Sequence, residues 1–339
     1  MKKVLLIGGG GTLGSYTASE LLKSGYAVDN IALENLMSLN RNLKYIRAKA
    51  DDALLKELFG ENRYDAIVDF IHYPNAEEYK KRALLLLENT DQLVFLSSYR
   101  IYADSKDGFI TENSPKLIDT VKDKFFLENE DYAIPKSKNE DFLRSSGKKN
   151  FTIVRPMISF SHFRLDLVTV GANILLSRKN ILLPEGAKNV IAGVCFAGNV
   201  GKLIARLIGK SEALATEFTL GTDENRPWSY VADCYEELLG VHFDWIDNEE
   251  YLKFGTPDNY PHHCMLYYDR LYNRRIDNSK VLSVTKTDKK EFVSIYDGIV
   301  HELGVIADNS ELYKRFTDCE YTRMMNEKID SYYAMKGKL

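Results

Sequence analysis

Glycines at 8, 11 and 14 stand where an apolar run, VLLI at 4–7, gives way to an amphipathic stretch. In that context each glycine has a use: a tight turn, room for a pyrophosphate against the backbone, and a helix packed close on a strand. All three exclude a Cβ, while the helix start supplies unpaired N–H groups and a positive dipole end. The chemistry this permits is dinucleotide binding, with Thr12 and Leu13 inside the same loop. Glu34 lies 20 residues beyond Gly14, just past a second strand-like run. A carboxylate there can take both ribose hydroxyls and repel a 2′-phosphate, which favours NAD and leaves NADP open. Further along, Tyr132 and Lys136 are four apart in DYAIPKSKNEDFL. A helix would put that phenol and ammonium on one face, a pair from which acid–base chemistry could be drawn. The run LVFLSS ends on two hydroxyls, Ser97 and Ser98.

Elements must hold these groups. Short apolar runs at 4–7 (VLLI), 31–33 (IAL), 66–71 (AIVDFI), 93–98 (LVFLSS) and 151–156 (FTIVRP) have the composition of strands buried on both faces. Helical patterns alternate with them: residues 13–22 ended by Gly25, then 52–59, 76–87 and 139–144. This alternation predicts an α/β fold, a Rossmann-type doubly wound parallel sheet. After Pro156 the rhythm loosens, with helical stretches at 198–209 and 228–239 around one strand-like run, EFTLGT at 217–222. The expected division is a dinucleotide-binding domain at 1–165, to which the chain returns around 190–222, and a smaller α/β substrate domain over 166–339.

Composition narrows the function. The 339 residues are 45% hydrophobic and 28% charged, ordinary for a soluble enzyme, with a formal net charge of −4. No basic stripe offers itself to a phosphate backbone, so nucleic acid is not an expected partner. Cys195, Cys234, Cys264 and Cys319 are scattered without a CxxC pair, which suits a reducing compartment. The apolar run after Lys2 and Lys3 is too short for a signal peptide, and no stretch approaches the ~18 apolar residues of a membrane helix. A cytoplasmic protein without membrane attachment is expected.

Four features together resemble a known family: the glycine loop, S-x-x-x-Y from Ser98 to Tyr102, Y-x-x-x-K at Tyr132 and Lys136, and Arg155–Pro156 closing the run FTIVRP. The chain resembles an extended short-chain dehydrogenase/reductase of the NAD-dependent sugar epimerase/dehydratase type. IDNSK at 276–280 is similar to the D-N-S-K found late in some atypical members. The resemblance implies that Gly8, Gly11, Thr12, Leu13, Gly14, Glu34, Phe70, Ile71, His72, Lys136 and Pro156 surround the cofactor. It implies Ser98, Tyr132 and Lys136 as catalytic residues. A phenol ordinarily titrates near 10, so a phenolate base at neutral pH needs a cation beside it, supplied by Lys136 and the oxidised nicotinamide. The phenolate would take the proton of a sugar hydroxyl as hydride leaves the same carbon, with Ser98 bonding the developing carbonyl oxygen and Lys136 holding the nicotinamide ribose. The implied function is an NAD-dependent sugar epimerase or keto-sugar reductase acting on a sugar or nucleotide sugar, in a homodimer. The rival is a dinucleotide-binding regulatory or RNA-associated protein without turnover.

Some positions depart from the pattern. Pro135 precedes the lysine, harmless only if the helix starts close to Asp131. Tyr99 and Arg100 stand where 4,6-dehydratases have an acidic pair, which disfavours dehydration. Lys49 replaces an acidic residue expected near the adenine. Arg226, Arg270 and Arg274 could clamp a diphosphate. His262, His263 and Cys264 are adjacent, project in different directions and lack a spaced partner set, so no metal site is expected. Asp277 can simply cap a helix.

Overall fold

Val4, Leu5, Leu6 and Ile7 are all fully buried in β1 (Lys3–Ile7). Successive side chains of a strand point to opposite faces, so a run apolar on both must be covered on both. Leu5 and Ile7 enter one core with Ile67, Leu93, Phe95 and Ile153. Val4 and Leu6 enter the other with Val68, Val94 and Val154. In the computed structural model, which describes residues 1–106, 108–130, 132–258 and 260–337, these residues belong to one parallel sheet. Its strands are β1, β2 (Ala27–Ala32), β3 (Leu43–Arg47), β4 (Ala66–Asp69), β5 (Leu93–Leu96), β6 (Phe151–Pro156) and β7 (Thr216–Leu220). The order is β7-β6-β5-β4-β1-β2-β3, every pairing parallel. The order reverses between β1 and β4, and ligands of such sheets bind beyond the strand ends at that point.

Helices α1 (Thr12–Lys23), α2 (Asp52–Glu61), α3 (Ala76–Glu88) and α4 (Ala133–Ser145) fill the connections. α2 and α3 cover one face through Leu55, Leu58, Tyr79, Ala83 and Leu86. On the other face α1 packs against α5 (Ala197–Leu207), where a Cβ on Gly201 would lie 2.8 Å from the Tyr16 backbone. That face continues into the second half of the chain through Trp228, Tyr235, Ile299 and Ile329.

Two elements differ from expectation. β2 begins at Ala27 rather than near Ile31, because its two polar residues find buried partners. Asp29 accepts from the Tyr64 hydroxyl at 2.7 Å and pairs with Lys3 at 2.7 Å, while Asn30 donates to the Gly9 carbonyl at 3.0 Å. β3 has no signal in the sequence, since an edge strand reading LKYIR is only half buried. The chain rejoins the sheet at β7, beside β6. The DNSK segment fastens it: the Asp277 side chain accepts from the Ser279 amide at 2.8 Å, Asn278 donates to the Gly221 carbonyl at 2.9 Å, and Lys280 donates to the Glu217 carbonyl at 2.8 Å. Among the described residues no helix is long and apolar enough to cross a membrane.

Candidate active site

The carboxyl ends of β1, β4, β5 and β6 open into a cavity of about 310 Å³. One end is made of main chain. Gly8 takes a left-handed φ of +73°, which turns the chain out of β1. A Cβ on Gly14 would run into the Gly9 backbone, so this glycine is a packing requirement, whereas a Cβ on Gly11 would meet nothing and project into open space. α1 carries no side-chain cap, and Thr12, Leu13 and Gly14 line the cavity with its first turn. Glu34 is exposed with its carboxylate turned over Gly10, where an added Cβ would lie 2.5 Å from its Oε2. An uncapped helix start beside a glycine with open space in front fits a pyrophosphate, and a carboxylate at the end of β2 fits a ribose.

Ser98, Tyr132 and hydrophobic Phe70, Pro156 and Met157 continue the wall. Ser98 lies beyond the end of β5, where its Oγ accepts the Arg100 amide at 3.2 Å and keeps its own proton for another acceptor. Tyr132 is the residue before α4, and Lys136 N–H bonds its carbonyl at 3.1 Å, so the two side chains stay one turn apart. Pro135 is the third residue of that helix. Amides of the first turn have no intrahelical acceptor, so its missing N–H costs nothing. The expected cap, Asp131, lies outside the described residues; Glu130 acts instead, its Oε2 accepting the Tyr132 and Ile134 amides at 3.0 Å each. The Tyr132 ring is held between His72, with centroids 5.1 Å apart, and the Arg100 guanidinium, 4.9 Å from its centre.

Lys136 does not line the cavity. It is 1% exposed, donating to the carbonyls of Leu96 at 2.5 Å and Ile71 at 3.4 Å. Burial pushes its ammonium below the ordinary lysine range, with Asp69 and Glu140 opposing. Burial likewise pushes the Asp69 carboxyl up, against the Ile71 amide, the Tyr73 hydroxyl and Lys136. Ile71 therefore serves this floor and His72 stacks on Tyr132, and neither lines the cavity. The motif residues Tyr102 and Arg155 are structural too: Arg155 grips Glu140 of α4 at 2.8 and 2.7 Å and bonds the Tyr102 hydroxyl at 2.6 Å. Burial alone would raise the Glu140 carboxyl, but Arg155 holds it down at about 2.

Of the arginines expected to meet a diphosphate, Arg270 lines the cavity and the other two do not. Arg274 is buried, bonded to Asp269 at 3.1 Å and the Tyr102 carbonyl at 2.8 Å. Arg226, in the loop two residues before the helix Trp228–Leu239, is half exposed, stacked on Tyr230 at 4.8 Å and 3.9 Å from Glu224. Lys49 is exposed and shares a separate surface depression with Asp51 and Asp52. Arg100 and Arg164, not foreseen as wall residues, complete the cavity. The only signal for Arg100 was its place two residues after Ser98; nothing in the sequence marked Arg164.

Comparisons with known proteins agree with this architecture. A model of the NAD dependent epimerase/dehydratase family matches residues 4–182. A UDP-glucose 4-epimerase of Neisseria meningitidis serogroup B is 32% identical over 144 residues, 34% of this chain and 42% of that protein. UDP-glucose 4-epimerase 2 of Arabidopsis thaliana is 29% identical over 34% of this chain and 41% of its own length. The chain thus spans about two fifths of the length of the curated relatives it matches. Among solved structures, dTDP-glucose 4,6-dehydratase from Bacillus anthracis in complex with NAD superposes with a TM-score of 0.69 at 15% identity, covering 94% of this chain and 100% of that one. With the matched region taking in more than half of the chain, the glycine loop, the hydroxyls and the sheet around them, this protein belongs to the NAD dependent epimerase/dehydratase family.

Proposed function

We propose that the chain is an NAD-dependent nucleotide-sugar epimerase, with Tyr132 as the acid/base and Ser98 bonding the substrate oxygen. The observation behind this reading is that the glycine loop, Ser98 and Tyr132 line one cavity, so a dinucleotide on the loop and a sugar hydroxyl would share it. The curated relatives are epimerases of UDP-glucose, which supports a nucleotide sugar as substrate. NAD, when bound, supplies the acceptor that takes up hydride and returns it. The residues do the rest. Ser98 has its proton available for an oxygen becoming a carbonyl, and Tyr132, held in place by His72 and Arg100, exchanges the hydroxyl proton. Lys136 ties the segments after β4 and β5 together beneath them. Tyr99 and Arg100 offer no acid beside Ser98, which favours epimerisation or reduction over dehydration. In this reading residues 1–165 with β7 hold the cofactor, while Arg270 from the second half lines the end that takes the sugar nucleotide.

Acid release of nucleotide from the freshly purified full chain tests the cofactor. Retained NAD is the expected result, since an epimerase reoxidises its cofactor in place; a chain that neither carries nor binds NAD or NADP would overturn the proposal. NADH that binds and exchanges, with a keto sugar consumed in step, would move the reading to a reductase.

A further inference from the structure

Three arginines line the cavity, and no Asp or Glu does among its described lining residues. They differ in how far their donors are used. Arg164 is paired by its own carboxylate, Asp166, through Nε at 2.7 Å and Nη2 at 3.2 Å. Arg270 is 2% exposed and spent on the Val168 carbonyl at 2.5 Å, the Tyr99 hydroxyl at 3.2 Å and Asp269. Arg100 is not. Its Nη2 reaches Glu130 only at 3.5 Å, and its Nε, sealed from solvent and 3.4 Å from Asp269, has no hydrogen-bond partner among the described residues. The Arg100 side chain is 19% exposed overall, but its sealed Nε is an unused donor, which is costly unless something completes its shell. The local charges do not close either: Arg100, Arg164, Arg270 and Arg274 stand against Glu130, Asp166 and Asp269, leaving one positive charge in excess.

The place of Arg100 says what kind of anion would complete it. Its amide is bonded to Ser98 and its guanidinium lies over the Tyr132 ring, so it sits at the reacting end, away from the glycine loop. A diphosphate there would set phosphate oxygens, rather than a ring carbon, against the Ser98 and Tyr132 hydroxyls. A carboxylate borne by the sugar itself meets both demands, since it accepts two parallel N–H bonds from a guanidinium while the ring stays on the hydroxyls.

We propose that Arg100 is a specificity-determining residue that binds a carboxylate on the reacting sugar, so that this enzyme prefers nucleotide-linked uronic acids to neutral hexoses. The inference rests on the nucleotide-sugar reading above. The test is calorimetric titration of the NAD-loaded full chain with UDP-glucuronic acid, UDP-glucose and UDP, for wild type, Arg100→Met and Arg100→Lys. Wild type should bind UDP-glucuronic acid at least tenfold more tightly than UDP-glucose. Arg100→Met keeps an apolar stem on the Tyr132 ring and should bring that ratio to about one by weakening the uronate alone; Arg100→Lys, with charge but no fork, should fall between. Equal wild-type affinities for the two sugars, or a preference that survives in Arg100→Met, would overturn the inference while leaving the nucleotide-sugar reading standing. Binding of none of the three ligands would overturn both. A fall in UDP affinity equal to that for the uronate in Arg100→Met would place Arg100 on the diphosphate and so also reject the proposal.

Discussion

The two ends of the cavity are built from different material. At the glycine end the groups that fit a pyrophosphate are main chain, presented by the turn at Gly8 and the uncapped start of α1, all within seven residues of sequence. At the reacting end they are side chains, Ser98, Arg100, Tyr132, Arg164 and Arg270, brought together over distances of up to 172 residues and braced by Asp269 and Glu130. A main-chain site is the same in any protein that makes it, so it specifies a shared cofactor. A side-chain site can be rewritten one residue at a time, and that is where substrate choice resides.

Substitutions can break each end separately. The largest effect belongs to Tyr132→Phe, which removes the hydroxyl we propose exchanges the proton and leaves the ring stacked between His72 and Arg100. Turnover of the nucleotide sugar should fall by about 10² to 10⁴ with little change in melting temperature. A comparable loss of stability would instead make Tyr132 a packing residue. Next comes Arg155→Met, which cuts the bolt joining β6, α4 and Tyr102; one partner of a buried pair removed costs about 3 kcal/mol at neutral pH. Glu140 titrates at about 2 in the folded chain against an ordinary 4.5, so the pair's stabilisation is complete above about 4.5 and lost as pH falls toward 2. Denaturant melts of wild type and variant should therefore converge between pH 5 and 2, and a gap independent of pH would show that the charge contributes nothing.

The glycines give the sharpest contrast. Gly14→Ala forces a Cβ into the Gly9 backbone and should destabilise the fold by about 1–3 kcal/mol. Gly11→Ala meets open space in the protein, so its melting temperature should stay near that of wild type while NAD affinity, read by fluorescence titration, falls about tenfold as the methyl occupies the room left for a pyrophosphate. If both variants lose stability alike, the loop is only a turn. The smallest effect is expected for Arg226→Ala: a half-exposed arginine 3.9 Å from its carboxylate should change stability by less than about 0.5 kcal/mol and leave ligand binding intact.

The sequence alone determined the parallel sheet, the glycine end and the pair of candidate hydroxyls, because each rests on local rules. Strands buried on both faces must be apolar throughout, a turn at positive φ beside a close helix demands glycine, and residues four apart share a helix face. Where local patterns failed, a distant partner had supplied the stability. Asp29 and Asn30 sit inside β2 because Tyr64, Lys3 and the Gly9 carbonyl receive them, and β3 exists because β2 offers it an edge. Pro135 was harmless for a reason visible only once α4 was seen to start at Ala133 and Glu130 to cap it. Only the tertiary structure decided which cations face the cavity. Lys136 is turned beneath the floor and Arg274 into the protein, whereas Arg100 and Arg164 reach the cavity wall. The direction of a long charged side chain is settled by the carbonyls and carboxylates that fold in beside it, and those come from segments remote in the chain.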